Sequence, residues 1–182
     1  EAKWPGHGAY PRHVASAWGG PASGPGFFFS GDAPATGLEL WKTDGTVCGT
    51  TMVLDINPGP AASLPHSLTR AGDVVVFFAD NGVTGWEPWR TDGTAAGTYL
   101  LKDIRPGPLR QNSQEMLSFR GHAYFQADDG QSGVELWRTD GTSNGTELFA
   151  DLRQGGGSFP ARFTATDDWF VFACDVESAG YE

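Results

Sequence analysis

The chain has 182 residues, 39% of them hydrophobic and 13% aromatic, enough apolar side chain for a packed core and too much for a disordered chain. Its 26 glycines and 12 prolines suit many short strands joined by tight turns. A formal charge of −10 gives no footprint for nucleic acid, and no apolar run approaches the roughly 18 residues of a membrane-spanning helix.

Taken in chain order, Glu1 to Trp4 read as the tail of a returning strand, because Pro5-Gly6 and His13 keep the mutual spacing of Pro58-Gly59 and His66. That offset is 53 residues, five more than the repeat described next, and a loop from Gly19 to Gly26 is expected to absorb the excess. Phe27 to Phe29 then opens a series of short apolar runs, continued by Val74 to Ala79, Ala123 to Phe125 and Trp169 to Ala173. A strand without polar alternation is buried on both faces, so each sheet is expected to lie between two others.

The first three runs are each followed by one phrase: Glu39-Leu-Trp-Lys-Thr-Asp-Gly-Thr46, Glu87-Pro-Trp-Arg-Thr-Asp-Gly-Thr94 and Glu135-Leu-Trp-Arg-Thr-Asp-Gly-Thr142. The Asp-Gly pair recurs every 48 residues, at Asp44, Asp92 and Asp140. A strict period of this size means one small supersecondary unit stacked several times. In the second copy Trp86, Pro88 and Arg90 alternate with Glu87, Trp89 and Thr91 across a strand. Asp92-Gly93 opens a turn, Gly97 adds a second flexible point, and Tyr99 to Ile104 returns before Pro106-Gly107. Ser67 to Arg70, closed by Ala71-Gly72-Asp73, supplies the fourth strand.

These spacings predict an all-β fold, a β-propeller-like array of four-stranded antiparallel blades. The expected organisation is a blade tail plus a first blade with an enlarged loop in residues 1–60, blades in 61–108 and 109–156, and an incomplete fourth in 157–182. Gly180-Tyr181-Glu182 aligns with Gly85-Trp86-Glu87, so the chain reads as part of a longer array.

The segments Glu39 to Thr50, Glu87 to Thr98 and Glu135 to Thr146 resemble the Glu-Leu-Trp-x-x-Asp-Gly-Thr (ELWxxDGT) repeat proteins, found mostly as long secreted or surface proteins of bacteria. The likeness covers nearly the whole chain. It departs at Pro88, which replaces the motif leucine, and at Gln154-Gly-Gly, which replaces Arg-Pro-Gly. The resemblance implies a propeller-like, extracytoplasmic module and no common activity.

The repeated residues Trp41, Asp44, Gly45, Trp89, Asp92, Gly93, Trp137, Asp140 and Gly141 are read as framework. An Asp before Gly accepts backbone N–H groups in an Asx-turn, a logic that resembles the Asp-box hairpins of sialidase propellers. Repeated Trp suits packing between blades, with a sugar-stacking surface as the alternative. The acidic turns Asp80-Asn-Gly82 with Glu87, and Asp128-Asp-Gly130 with Glu135, offer oxygen atoms for Ca²⁺ but fewer than the 6 to 8 that this ion takes. His7, His13, His66 and His122 lack zinc spacing. Cys48 and Cys174 occupy non-equivalent places and read as isolated thiols, with a mutual disulfide as the alternative.

No catalytic, cofactor-binding or metal-binding residue is assigned, and no cofactor is expected. The first residues lack the basic and apolar regions of a signal peptide, which leaves location open. The leading expectation is a non-enzymatic repeat module for protein or glycan binding in a secreted or surface protein. Two other readings stand beside it: a subunit of a larger assembly, such as an extracellular filament or an organelle-lumen complex, and a propeller hydrolase.

Overall fold

The computed structural model describes residues 14–20, 24–108 and 115–176, with side chains from Gly26 onward. The expectations for Glu1 to His13 and for Gly180 to Glu182 fall outside the described residues. Within them the regular structure is all β, with no helix.

The first sheet orders β1 (Val14–Gly20), β2 (Gly24–Ala33), β3 (Gly37–Thr43) and β4 (Thr51–Leu54). The second repeats that order with β5 (His66–Ala71), β6 (Val74–Asp80), β7 (Trp86–Thr91) and β8 (Tyr99–Leu100). The third holds β9 (Met116–Phe119), β10 (His122–Asp128), β11 (Val134–Thr139) and β12 (Glu147–Ala150), and the fourth pairs β13 (Ala161–Ala165) with β14 (Phe170–Ala173). Neighbouring strands are antiparallel throughout, as short hairpin connections require. The leading strands lie side by side in chain order, β1 against β5, β5 against β9, and β9 against β13.

The core sits between the sheets. Phe28, Leu40, Val53 and Ile56 of the first pack against Val75, Phe77, Ala79 and Trp89 of the second. On its other face the second sheet presents Phe78 and Ile104 to Phe125, Ala127 and Trp137 of the third. Ala71, Val76 and Leu101 close against Ala123 nearer β9. Strand β6 is therefore buried continuously from Val75 to Ala79, because both of its faces meet an apolar sheet.

Three expectations are corrected. The described residues of the expected Gly19 to Gly26 loop are strand: Trp18 pairs with Gly26, Gly19 with Pro25 and Gly20 with Gly24, continuing the hairpin of β1 and β2. The returning strand predicted for Tyr99 to Ile104 stops at Leu100, and the N–H of Ile104 turns to a carboxylate instead of a neighbouring strand. Strand β14 is not buried on both faces. Phe170 and Phe172 turn inward, whereas Trp169 is 57% and Val171 is 49% exposed, because a sheet packs on only one side of β14 among the described residues.

Candidate functional site

The repeated hairpin is built identically three times. In the second copy Asp92 Oδ1 accepts the N–H of Thr94 at 2.9 Å and its hydroxyl at 2.7 Å. Thr94 Oγ1 then accepts the N–H of Gly97 at 3.0 Å. Thr98 donates its hydroxyl proton to Thr94 O at 2.7 Å, so the 2.7 Å contact between Thr91 and Thr98 must use the proton of Thr91. Thr91 Oγ1 also accepts the N–H of Gly93 at 2.9 Å. The same bonds join Thr43, Asp44, Thr46, Gly49 and Thr50, and again Thr139, Asp140, Thr142, Gly145 and Thr146.

Two glycines serve this turn for different reasons. Gly45, Gly93 and Gly141 adopt φ of 89°, 89° and 86°, a left-handed conformation that side chains resist. Gly97 and its equivalents are needed for room: a Cβ there would lie 2.1 Å from the Asp92 carboxylate, and at Gly49 and Gly145 it would lie 1.9 and 2.1 Å from Asp44 and Asp140. The sequence reading of Gly97 as a flexible point is corrected accordingly.

The Thr46 hydroxyl and N–H hold the Asp44 carboxyl below the usual carboxylate range, and those of Thr142 do the same for Asp140. At Asp92 burial works the other way, yet Thr94 and the Arg90 guanidinium leave the carboxyl lowered as well. A carboxylate so stabilised is a poor proton acceptor near neutral pH, where a general base is most effective.

The motif glutamate is the residue that sequence reasoning misplaced. Glu39, Glu87 and Glu135 are all 0% exposed. Each accepts a backbone N–H from the linker 17 residues on: Ile56 at 3.0 Å, Ile104 at 2.9 Å and Leu152 at 2.9 Å. Glu39 and Glu135 also accept the N–H and hydroxyl of Ser63 and Ser158, while Glu87 takes the N–H of Arg105. Desolvation raises the pKa of Glu39 against these hydrogen bonds. Glu39 and Glu135 thus tie their own sheets to the approach to the next, and Glu87 ties its sheet to the linker that follows.

The motif tryptophans bridge the same seams, Trp89 reaching the first sheet and Trp137 the second. The indole N–H groups of Trp41, Trp89 and Trp137 meet no acceptor among the described residues, so these side chains act through area and not through hydrogen bonding. Cations add a further link. Lys42 Nζ donates to Gly93 O at 2.7 Å, Arg90 Nη1 to Gly141 O at 3.3 Å and Lys102 Nζ to Thr146 O at 3.0 Å.

The displayed turns are closed by their own side chains. Asp80 caps Gly82 and Asn81 caps Val83 and Thr84; Asp128 caps Gly130 and Asp129 caps Gln131 and Ser132. Arg105 pairs with Asp128. What such turns present differs: Val83 stands 72% exposed where the third sheet has the polar Gln131. His66 packs against Phe78 and Trp86, and His122 lies near Tyr124, with no arrangement that joins them. His7 and His13 lie outside the described residues. Cys48 and Cys174 are free thiols. Comparison with protein-family models, curated proteins and solved structures gives no match.

Proposed function

We propose that this chain is a non-enzymatic, propeller-like repeat module that recognises a protein or glycan partner outside the cytoplasm. The observation that carries the reading is the division of labour within each unit. The repeated Asp, Thr and Gly residues are consumed in hydrogen bonds that close their own hairpin, and the Glu and Trp residues in hydrogen bonds to the linker and packing between sheets. The turns after β6 and β10 keep one backbone design and vary what they present. A rigid scaffold with variable turns places recognition on the turns. The resemblance to ELWxxDGT repeat proteins supports both the propeller-like arrangement and the extracytoplasmic setting.

The test is an exchange of the two turns, Asn81 to Thr84 for Asp129 to Ser132 and the reverse, followed by glycan-array and protein-array binding beside thermal unfolding. The reading expects altered binding at an unchanged midpoint. Binding that survives both exchanges would place recognition elsewhere.

A further inference from the structure

Two asparagines of the chain precede glycine, Asn81-Gly82 in the turn after β6 and Asn144-Gly145 in the hairpin of β11 and β12. Glycine leaves its backbone nitrogen unshielded by a side chain, so that nitrogen can reach back to the asparagine's side-chain carbonyl carbon and close a five-membered ring. The surroundings of the two pairs differ.

At the first pair they match that reaction. The N–H of Gly82, the nitrogen that must attack, donates to the Asp80 carboxylate at 2.8 Å. Asn81 Oδ1, the oxygen on which negative charge would gather, accepts the N–H groups of Val83 and Thr84 at 2.9 Å each and the Thr84 hydroxyl at 3.1 Å. Gly82 is exposed, so water reaches the turn. At the second pair the N–H of Gly145 meets only a hydroxyl, Thr142 Oγ1 at 3.0 Å, which itself donates to Asp140 at 2.7 Å. A hydroxyl takes up a proton far less readily than a carboxylate does.

The third sheet shows that the product of such a reaction fits. Asp128-Asp129-Gly130 stands 48 residues after Asp80-Asn81-Gly82 and keeps its bonds. Asp128 Oδ1 accepts the N–H of Gly130 at 2.7 Å, and Asp129 Oδ1 accepts those of Gln131 and Ser132 at 2.8 and 2.7 Å.

We propose that Asn81 is a deamidation site, converted to a carboxylate through the geometry of its own turn. Gly82 N bonds to Asn81 Cγ while its proton passes to Asp80, and three donors hold the oxygen that becomes negative. The Cγ–Nδ2 bond then breaks, the departing nitrogen takes the proton from Asp80, and ammonia leaves a succinimide ring. Water opens that ring. Addition at Cγ gives aspartate on an unaltered backbone, and addition at the main-chain carbonyl gives isoaspartate, whose backbone runs through the side chain. Either product adds one negative charge to a chain of formal charge −10. The site follows from the turn's own chemistry and does not depend on what the turn binds.

The full chain is incubated at neutral pH and sampled over weeks, and peptide mapping by mass spectrometry follows each asparagine. In the folded chain Asn81 should be lost faster than Asn144 by roughly tenfold or more, a modest part of the about 10²–10⁴ that a fully positioned base contributes. In urea that unfolds the chain, the two Asn-Gly pairs should react at similar rates. Asp80→Ser presents a hydroxyl to Gly82 as Thr142 does to Gly145, and should bring the loss at Asn81 down to that at Asn144. Asn81→Asp supplies the reference for the aspartyl product. Loss at Asn81 no faster than at Asn144, the same difference persisting in urea, or an unchanged rate in folded Asp80→Ser would each overturn the assignment.

Discussion

At Gly97 the demand is for space. Gly97→Ala forces a methyl into the Asp92 carboxylate and should cost about 1–3 kcal/mol in equilibrium unfolding, by displacing the Thr94 and Gly97 bonds together. In an Asp92→Ala background the same change should cost far less, because the obstacle has gone. The carboxylates also set opposite pH responses. The lowered pKa of Asp92 means its contribution is present above the ordinary value of 3.8 and is lost as pH falls through the folded value. Asp92→Asn should therefore flatten the acid limb of a stability profile. Glu39 has a raised pKa, so its contribution is complete below 4.5 and declines as pH rises through the folded value. Glu39→Gln should remove that decline, and denaturation midpoints measured at closely spaced pH would show both effects. The turn role of Asp92 was legible because Asp-Gly between apolar segments already specifies an Asx-turn. The role of Glu87 was not, since alternation placed it on the face of Trp89 and Thr91 without naming what its carboxylate would bond. Its partners are the backbone N–H groups of Ile104 and Arg105, which any side chain there but proline's would leave available, so nothing in the linker's sequence announces the bond. The one hint was that Glu persists where the adjoining Leu gives way to Pro88.

Between elements, the seams rest on paired apolar faces with a polar clasp at each edge. Arg90 donates across the second seam while its guanidinium lies over Tyr99, 5.2 Å from the ring centroid, and 3.8 Å from Asp92. Arg90→Ala should lower stability by roughly 1–2 kcal/mol, and Arg90→Lys should recover most of it if the carbonyl bond matters more than the ring contact. Strand existence was legible here, because wholly apolar runs and the period of 48 residues leave little else for the chain to do. Strand length was not. Strand β8 ends at Leu100 since the Glu87 carboxylate captures Ile104, and β2 begins at Gly24 because its first residues pair with β1 where a loop was expected. Both outcomes depend on partners that local sequence does not name. The exposed face of β14 has the same origin: an apolar run announces a strand, and only its neighbours decide how many of its faces are covered.

For the whole molecule the account holds that the repeat is a connective device. Each unit folds as an antiparallel sheet, and its motif reaches forward, through Glu to the linker in all three and through Lys42 or Arg90 to the following turn in the first two, so that sheet succeeds sheet in a fixed stack. Repeats joined only to their neighbours should lose stability locally when one connection is cut. The most direct measurement is residue-resolved amide hydrogen exchange of the unaltered chain beside Glu39→Leu, Glu87→Leu and Glu135→Leu, which leave no side-chain acceptor. The account predicts that each variant loses protection at the amide 17 residues on, Ile56, Ile104 or Leu152 respectively, with the other two amides retained. Unchanged protection at all three amides in every variant would contradict it.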